Sequence, residues 1–365
     1  MKKSIYLVCL ILVTILASCA GSGKESENGS KETREVWSNE QAQAWYSQLE
    51  WLRGANFIPS TAINQLEMWQ EKSFDPETID RELGYAESVG FNSMRVYLHH
   101  LAWQTDPEGF KKRMEQYLEI ADQRGISTMF VFFDDCWNAT YQSGEQPDPK
   151  PGVHNSGWVR DPGDLIHSTP ELSGLLEQYV KDIISTFADD SRIVLWDLYN
   201  EPGNSGYGNK SLSLLEKVFE WGREVNPSQP LSAGVWNWRL EELSRFQIEN
   251  SDVITYHNYG APENHREMID TLTTLTPKPF ICTEYMARTQ NSLFGNIMPM
   301  LKEQKIGAYN WGLVSGKTNT IYAWSTPIAD GSEPELWFHD IFRKDGSPYK
   351  QEEVDLIKEL TNKRD

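Results

Sequence analysis

A (β/α)8 barrel, in which eight parallel strands alternate with helices and close on themselves, is the fold this sequence predicts, and three observations predict it. Strand-like apolar runs alternate with stretches of helical periodicity through most of the 365 residues, the pattern of βαβ units around a parallel sheet. Eight such strand runs are counted, and eight is the number that closes into a barrel. Two of them end in a carboxylate, Ile193-Val194-Leu195-Trp196-Asp197-Leu198-Tyr199-Asn200 in Glu201 and Pro279-Phe280-Ile281-Cys282-Thr283 in Glu284, at the strand ends where such a barrel opens its loops. The competing arrangement is an open doubly wound sheet. It loses support because no Gly-x-Gly-x-x-Gly follows a first strand, and neither a complete phosphate-loop motif nor a Gly-x-Ser-x-Gly elbow is present.

Taken in order, residues 1–18 read as a targeting segment. Lys2 and Lys3 supply its positive end, and residues 5–17 form an apolar run too short for a confident membrane span. Leu16-Ala17-Ser18-Cys19 resembles a bacterial lipobox, which implies cleavage before Cys19, lipidation of its thiol and attachment to a bacterial membrane, at the outer membrane, on the periplasmic or cell-surface side. An ordinary secretory leader with an incidental cysteine is the alternative. Residues 19–36, rich in Gly, Ser, Glu and Lys, are expected as a flexible tether, leaving 37–365 as the catalytic domain. Residues 37–50 suggest a helix leading into the barrel, and 52–59 the first strand. Residues 75–89 read as a helix closed by Gly90, 92–98 as strand two, 107–124 as a helix closed by Gly125, and 127–134 as strand three. A long loop follows before the helix at 169–188 and the fourth strand. Helices are expected at 211–225, 264–275 and 291–304, and strands at 231–236, 253–259, 280–285 and 307–314.

Composition bounds the partners. Hydrophobic residues make up 39% of the chain, and 14 Trp, 15 Tyr and 14 Phe supply ample core. The tryptophans also lean towards carbohydrate, since indoles stack on sugar faces. The formal charge is −19; without Lys2 and Lys3 the 34 basic residues fall by two against 53 acidic ones, giving −21. A surface this acidic opposes nucleic acid and anionic polysaccharide and fits a neutral glycan. Cys136 and Cys282 fall at the ends of strands three and seven, on opposite sides of a barrel, so no disulfide is expected between them. No His/Cys pair stands at ligand spacing, so no metal or other cofactor is expected.

Two strand-end glutamates are what a retaining β-glycosidase needs. One carboxyl protonates the leaving oxygen while the other attacks the anomeric carbon, which requires the two only ~5–5.5 Å apart. Ionised Glu284 nearby is then expected to raise the Glu201 carboxyl above its ordinary range. Asn200-Glu201-Pro202 and Thr283-Glu284-Tyr285, with His257-Asn258-Tyr259 between them and Trp311 after, give the chain a resemblance to clan A glycoside hydrolases of the family 5 type, cellulases, mannanases and xylanases among them, over about residues 51–340.

The resemblance implies Glu201 as acid/base at the end of strand four and Glu284 as nucleophile at the end of strand seven. It further implies Asn200 on the sugar 2-hydroxyl, Tyr259 on the nucleophile, His257 on substrate or acid/base, and Trp311 as floor of the reacting sugar's subsite. Arg95 would hold Glu284 ionised, or else form a structural ion pair with Asp197. Trp137, on the loop after strand three, is also expected to bind substrate. The chain departs from the family pattern there, with Phe132-Phe133-Asp134-Asp135-Cys136-Trp137 in place of Asp-x-His and an unpatterned loop of over 30 residues running to Thr169. Such a loop is usually functional or disordered. Residues 312–324 look more like barrels filed under family 2 or β-xylanase names. A monomer acting by retention on a neutral β-linked glycan is expected. The alternatives are a lipoprotein that binds glycan without cleaving it, and a transglycosylase using the same residues.

Overall fold

The computed structural model describes residues 33–363. The expected leader, Cys19 and the tether as far as residue 32 lie outside the described residues. Eight parallel strands form one sheet: β1 (Arg53–Asn56), β2 (Ser93–Tyr97), β3 (Ser127–Asp134), β4 (Ile193–Asn200), β5 (Leu231–Ser232), β6 (Ile254–His257), β7 (Phe280–Tyr285) and β8 (Gly307–Trp311). They are hydrogen-bonded in the order β5-β4-β3-β2-β1-β8-β7-β6. The ring closes between β5 and β6 at a bridge from Val235 to Tyr256, where Val235 N donates to Thr255 O at 2.9 Å and His257 N to Val235 O at 3.0 Å. The predicted (β/α)8 barrel is therefore the observed one. Both faces of β4 are covered, and all eight of its residues are buried, which is why it reads as a continuous apolar run rather than an alternating one. Strand five is shorter than expected because side chains take over its ladder: Ser251 Oγ accepts from Ala233 N, and Gln247 Nε2 donates to the carbonyls of Ala233 and Gly234.

Eleven α-helices surround the strands among the described residues: α1 (Asn39–Ser47), α2 (Gln65–Trp69), α3 (Pro76–Ser88), α4 (His100–Thr105), α5 (Pro107–Gln123), α6 (Leu172–Thr186), α7 (Leu212–Val225), α8 (Glu241–Asn250), α9 (Pro262–Leu275), α10 (Phe294–Glu303) and α11 (Gln351–Thr361). The starts of α3 and α5 follow from Asp-Pro pairs. Asp75 accepts from Thr78 N and Asp106 from Gly109 N, each at 3.0 Å, with a proline whose missing N–H costs nothing at the next position. Each such cap stabilises its helix by about 1 kcal/mol. Helix α8 was not expected from the sequence. It has no side-chain cap, and its buried face is Leu243, Ser244 and Gln247, a face that apolar periodicity does not reveal.

Helix α1 stoppers the lower end of the barrel, packing Ala42, Trp45 and Tyr46 on Leu52, Val194, Val253 and Ile281 at the starts of the strands. The chain is docked there from Arg34, within the stretch expected as tether: its guanidinium pairs with Asp252 and donates to Pro227 O at 2.8 Å. Function is thereby left to the opposite end, where the strands finish. Cys136 and Cys282 are both free thiols.

Candidate active site

Backbone irregularities at three strand ends aim the polar side chains into the mouth. Glu201 sits between Asn200 and Pro202 with φ +46°, a left-handed conformation that costs a non-glycine residue roughly 1–2 kcal/mol and is characteristic of functional positions. The turn beyond it is held by Asp135, which accepts from Tyr199 Oη at 2.8 Å, Gly203 N at 2.8 Å and Ser211 Oγ at 2.5 Å. Gly203 itself adopts φ +87°, and a Cβ there would stand 2.7 Å from Leu243 Cδ1, so the turn needs glycine on both counts. Register shifts between Tyr256 and His257, and between Cys282 and Tyr285, bring His257 opposite Glu284; such bulges re-aim side chains beside active sites.

Glu284 is held by three donors. Arg95 Nη1 reaches its Oε1 at 2.7 Å, Tyr97 Oη the same oxygen at 2.9 Å, and Tyr259 Oη its Oε2 at 2.8 Å. Both readings of Arg95 are realised together. The fully buried guanidinium also contacts Asp197 at 2.8 Å and Asn56 Oδ1 at 2.8 Å, and its Nη2 donates to Asn200 Oδ1 at 2.7 Å. Burial works against its charge, but the acidic groups around it, Asp197 and Glu284 among them, outweigh burial and hold it protonated. The Tyr97 and Tyr259 phenols are pushed well above their ordinary range by burial, with Glu284 adding to the effect, so both remain donors to the carboxylate. Charge-assisted bonds of this kind keep a nucleophile ionised and fix its direction.

Glu201 stands across the mouth. His257 Nδ1 lies 2.9 Å from its Oε1 and 3.5 Å from Glu284 Oε2. Oxygen atoms of the two carboxyls and a ring nitrogen of His257 all lie within 4.8 Å of one another. Cys136 Sγ donates to Glu201 Oε2 at 3.3 Å, and Asn204 Nδ2 donates to the same oxygen. The expected elevation of the Glu201 carboxyl is not what this geometry gives. Burial does push it up, but the donors, His257 first and then Cys136 and Asn204, outweigh burial and hold it below its ordinary value. The reason is physical: the empty site surrounds Glu201 with hydrogen-bond donors that stabilise its ionised form.

Asn200 is oriented from both ends, accepting from Arg95 and donating from Nδ2 to Asp134 Oδ1 at 2.9 Å. Asp134 is itself buried, which pushes its carboxyl up to about 7, and its Oδ2 accepts from Trp158 Nε1 at 2.7 Å. The cavity above these groups is about 1070 Å³ and is lined by both glutamates, Asn200, His257, Tyr259, Trp137 and Trp311, at the large end of the range for ligand clefts. Trp311 meets Tyr97 and Trp158 edge to face, which leaves a braced indole on the cavity wall. Trp137, at φ +71°, packs on His154 with ring centroids 5.2 Å apart. Each residue expected at the site from sequence, Cys19 and Arg95 aside, thus lines this one cavity; Arg95 lies beneath it and Cys19 outside the described residues.

A second buried cluster, His99, His100 and Asp161, also brings potential ligand atoms within 4.8 Å. Its groups are engaged with one another and with backbone: His100 bonds Asp161 through both Nδ1 and its main-chain N, and His99 Nε2 meets Arg160 O at 3.1 Å. That arrangement ties the end of the long loop to the start of α4.

Tyr97, Cys136, Asp134 and Trp158 are site residues that the sequence reading missed. For Tyr97 a signal existed: it lies two residues from Arg95 on one strand, so both face the same way. Tyr97→Phe removes one bond to a charged carboxylate, worth about 1.5–3 kcal/mol. Steady-state kinetics on an aryl β-glycoside should show kcat/KM reduced roughly 10- to 150-fold with KM less affected. A change below about threefold would show the phenol to be dispensable.

The model of the family described as "Glycosyl hydrolases family 2, TIM barrel domain" matches residues 113–332, more than half of the chain and inclusive of both glutamates. Among curated proteins none matches in sequence. Solved structures share the fold. An exo-β-1,4-mannosidase, Op5Man5, from Opitutaceae bacterium strain TAV5 superposes with a TM-score of 0.61 at 16% identity, covering 85% of this chain and 59% of its own. GH5_18 from Streptomyces cattleya, in complex with GlcNAc, gives a TM-score of 0.58 at 10% identity, with 85% and 79% covered. The endo-1,4-β-D-mannanase from Thermotoga petrophila RKU-1 gives 0.55 at 16%, with 85% and 99% covered.

Proposed function

Since the chain belongs to the family of glycosyl hydrolases family 2, TIM barrel domain, we propose that it is a retaining β-glycoside hydrolase, with Glu284 as nucleophile and Glu201 as acid/base. One observation carries the reading: carboxyl oxygens of Glu201 and Glu284 lie within 4.8 Å of each other. Retention uses carboxyls about 5–5.5 Å apart, whereas inversion leaves room for a water at about 6.5–9.5 Å. The burial of Glu284, 5% exposed against 13% for Glu201, agrees with these roles. The attacking oxygen is fixed from below, and the proton donor stands where the leaving group departs.

Substrate is a neutral β-linked glycan, in keeping with the net charge of −19 and the tryptophans of the cavity. Mannosides are the first to test, because two of the similar structures act on β-1,4-mannosides by their names. The chain acts without a cofactor, as a monomer held to a bacterial membrane through Cys19. A glycan-binding protein without hydrolysis would gain nothing from a nucleophile held by three donors. Transglycosylation uses the same residues and differs only in the acceptor.

Proton NMR of the reaction with aryl β-mannoside, β-glucoside and β-xyloside tests the proposal. The first product formed is expected to be the β-anomer, with the α-anomer growing in only by mutarotation. Early appearance of the α-anomer would mean that water attacks directly.

A further inference from the structure

On the retaining reading, the mouth has a direction. Glu201 gives its proton to the leaving oxygen, so the leaving part of the substrate lies on its side, towards Trp236, Trp238 and Met268, which line the cavity there. The reacting sugar lies over Glu284 and Trp311. Any unit preceding it would run on towards the loops that follow β8, β1 and β3.

Those three loops are knitted together. Asn155 N donates to Thr318 O at 2.8 Å, Ile328 N to Gly152 O at 3.0 Å and Lys317 N to Ser60 O at 3.1 Å. His154 Nδ1 donates to Tyr322 O at 2.7 Å, Asn319 Nδ2 to Lys150 O at 2.9 Å and Asn64 Nδ2 to Gly157 O at 2.9 Å. Gly152, at φ +67°, crosses so closely that a Cβ would stand 1.8 Å from Ile328 O. Bonds between main chains from three separate segments make a wall rather than a set of mobile flaps.

One polar group on that wall lacks a partner. Asn155 is 1% exposed and lines the cavity, and its buried Oδ1 accepts no hydrogen bond from the described residues. A buried carbonyl left unpaired is a standing cost, and a sugar hydroxyl arriving at the end of the pocket would remove it.

We propose that the chain is exo-acting: the wall closes the pocket behind a single non-reducing terminal unit of the neutral glycan, and Asn155 Oδ1 accepts a hydrogen bond from a hydroxyl of that unit. Cellopentaose, mannopentaose and xylopentaose labelled at the reducing end are each prepared with a free terminal 4-hydroxyl and with that hydroxyl blocked as a benzyl ether. The full chain is expected to release single sugars stepwise from free ends and to leave blocked chains intact. Internal fragments, or cleavage of blocked chains at a comparable rate, overturn the proposal.

Binding separates this claim from hydrolysis itself. Calorimetric titration of Glu284→Gln is expected to show blocked chains binding at least about tenfold more weakly than the free chain that binds best. Equal affinities, or no binding by any free pentasaccharide, overturn the wall. If the wild type hydrolyses nothing while the variant discriminates, the hydrolase reading fails and the walled pocket stands. Asn155→Gly, which keeps the positive φ of +45°, is expected to lower kcat/KM on aryl glycosides about 10- to 100-fold without lowering Tm. An unchanged kcat/KM overturns the Asn155 contact.

Discussion

Glu284→Ala should lower kcat on aryl β-glycosides by a factor on the order of 10⁵, because it deletes the bond-forming atom itself. Binding should persist, since Trp311, Asn200 and His257 still line the cavity. The alanine also vacates space beside the charged Arg95, which lies 2.7 Å from Glu284 Oε1 in the native chain. Added azide should occupy that space, attack from the face the carboxylate used, and restore turnover with an α-glycosyl azide as product. Product analysis by proton NMR checks the configuration. A β-azide from this variant would mean that the nucleophile is intact and that Glu284 plays the other part.

Glu201→Ala should divide substrates by leaving group. General acid assistance is worth about 10²–10⁴-fold, so unactivated oligosaccharides should lose that much. Dinitrophenyl glycosides, whose leaving oxygen needs no proton, should still form the glycosyl-enzyme rapidly. Azide should then yield the β-azide, by attacking the intermediate from the side where water normally enters. The pH profile adds a second readout. His257, Cys136 and Asn204 outweigh burial and hold the Glu201 carboxyl below its ordinary range in the empty site. The protonated form that donates is thus favoured as pH falls, and kcat/KM, which reports the free enzyme, should have its alkaline limb in the acid range. In Glu201→Ala that limb should vanish for activated substrates. Its survival would assign the limb to another group.

Much of this site was legible in the sequence because strand ends are marked locally. An apolar run, a carboxylate and a proline place Glu201, and the period of two along a strand pairs His257 with Tyr259. The same rule, applied to β2, would have added Tyr97 to Arg95. Cys136, Asp134 and Trp158 were not legible in this way. Trp158 reaches Asp134 from within a loop that has no periodicity, and its position is set by bonds to distant segments such as that from Asn138 Nδ2 to Trp158 O at 2.7 Å. The protonation of Glu201 was misjudged for the same reason: its donors come from three separate stretches, and only the folded chain assembles them. Helix α8 escaped because a polar face buried by Gln247 and Ser244 looks like a surface loop in the sequence.

The account stands on a covalent bond to Glu284, and trapping that bond tests it most directly. Dinitrophenyl 2-deoxy-2-fluoro-β-glycosides of mannose, glucose and xylose slow release of the intermediate, so the intact protein should gain the mass of one fluorinated sugar. Peptide mapping should place that mass on the peptide containing Glu284, and parent glycoside turnover should stop as the label accumulates. A label on the Glu201 peptide, or continued turnover of the parent glycoside with no label on any peptide, would contradict the mechanism proposed for this chain.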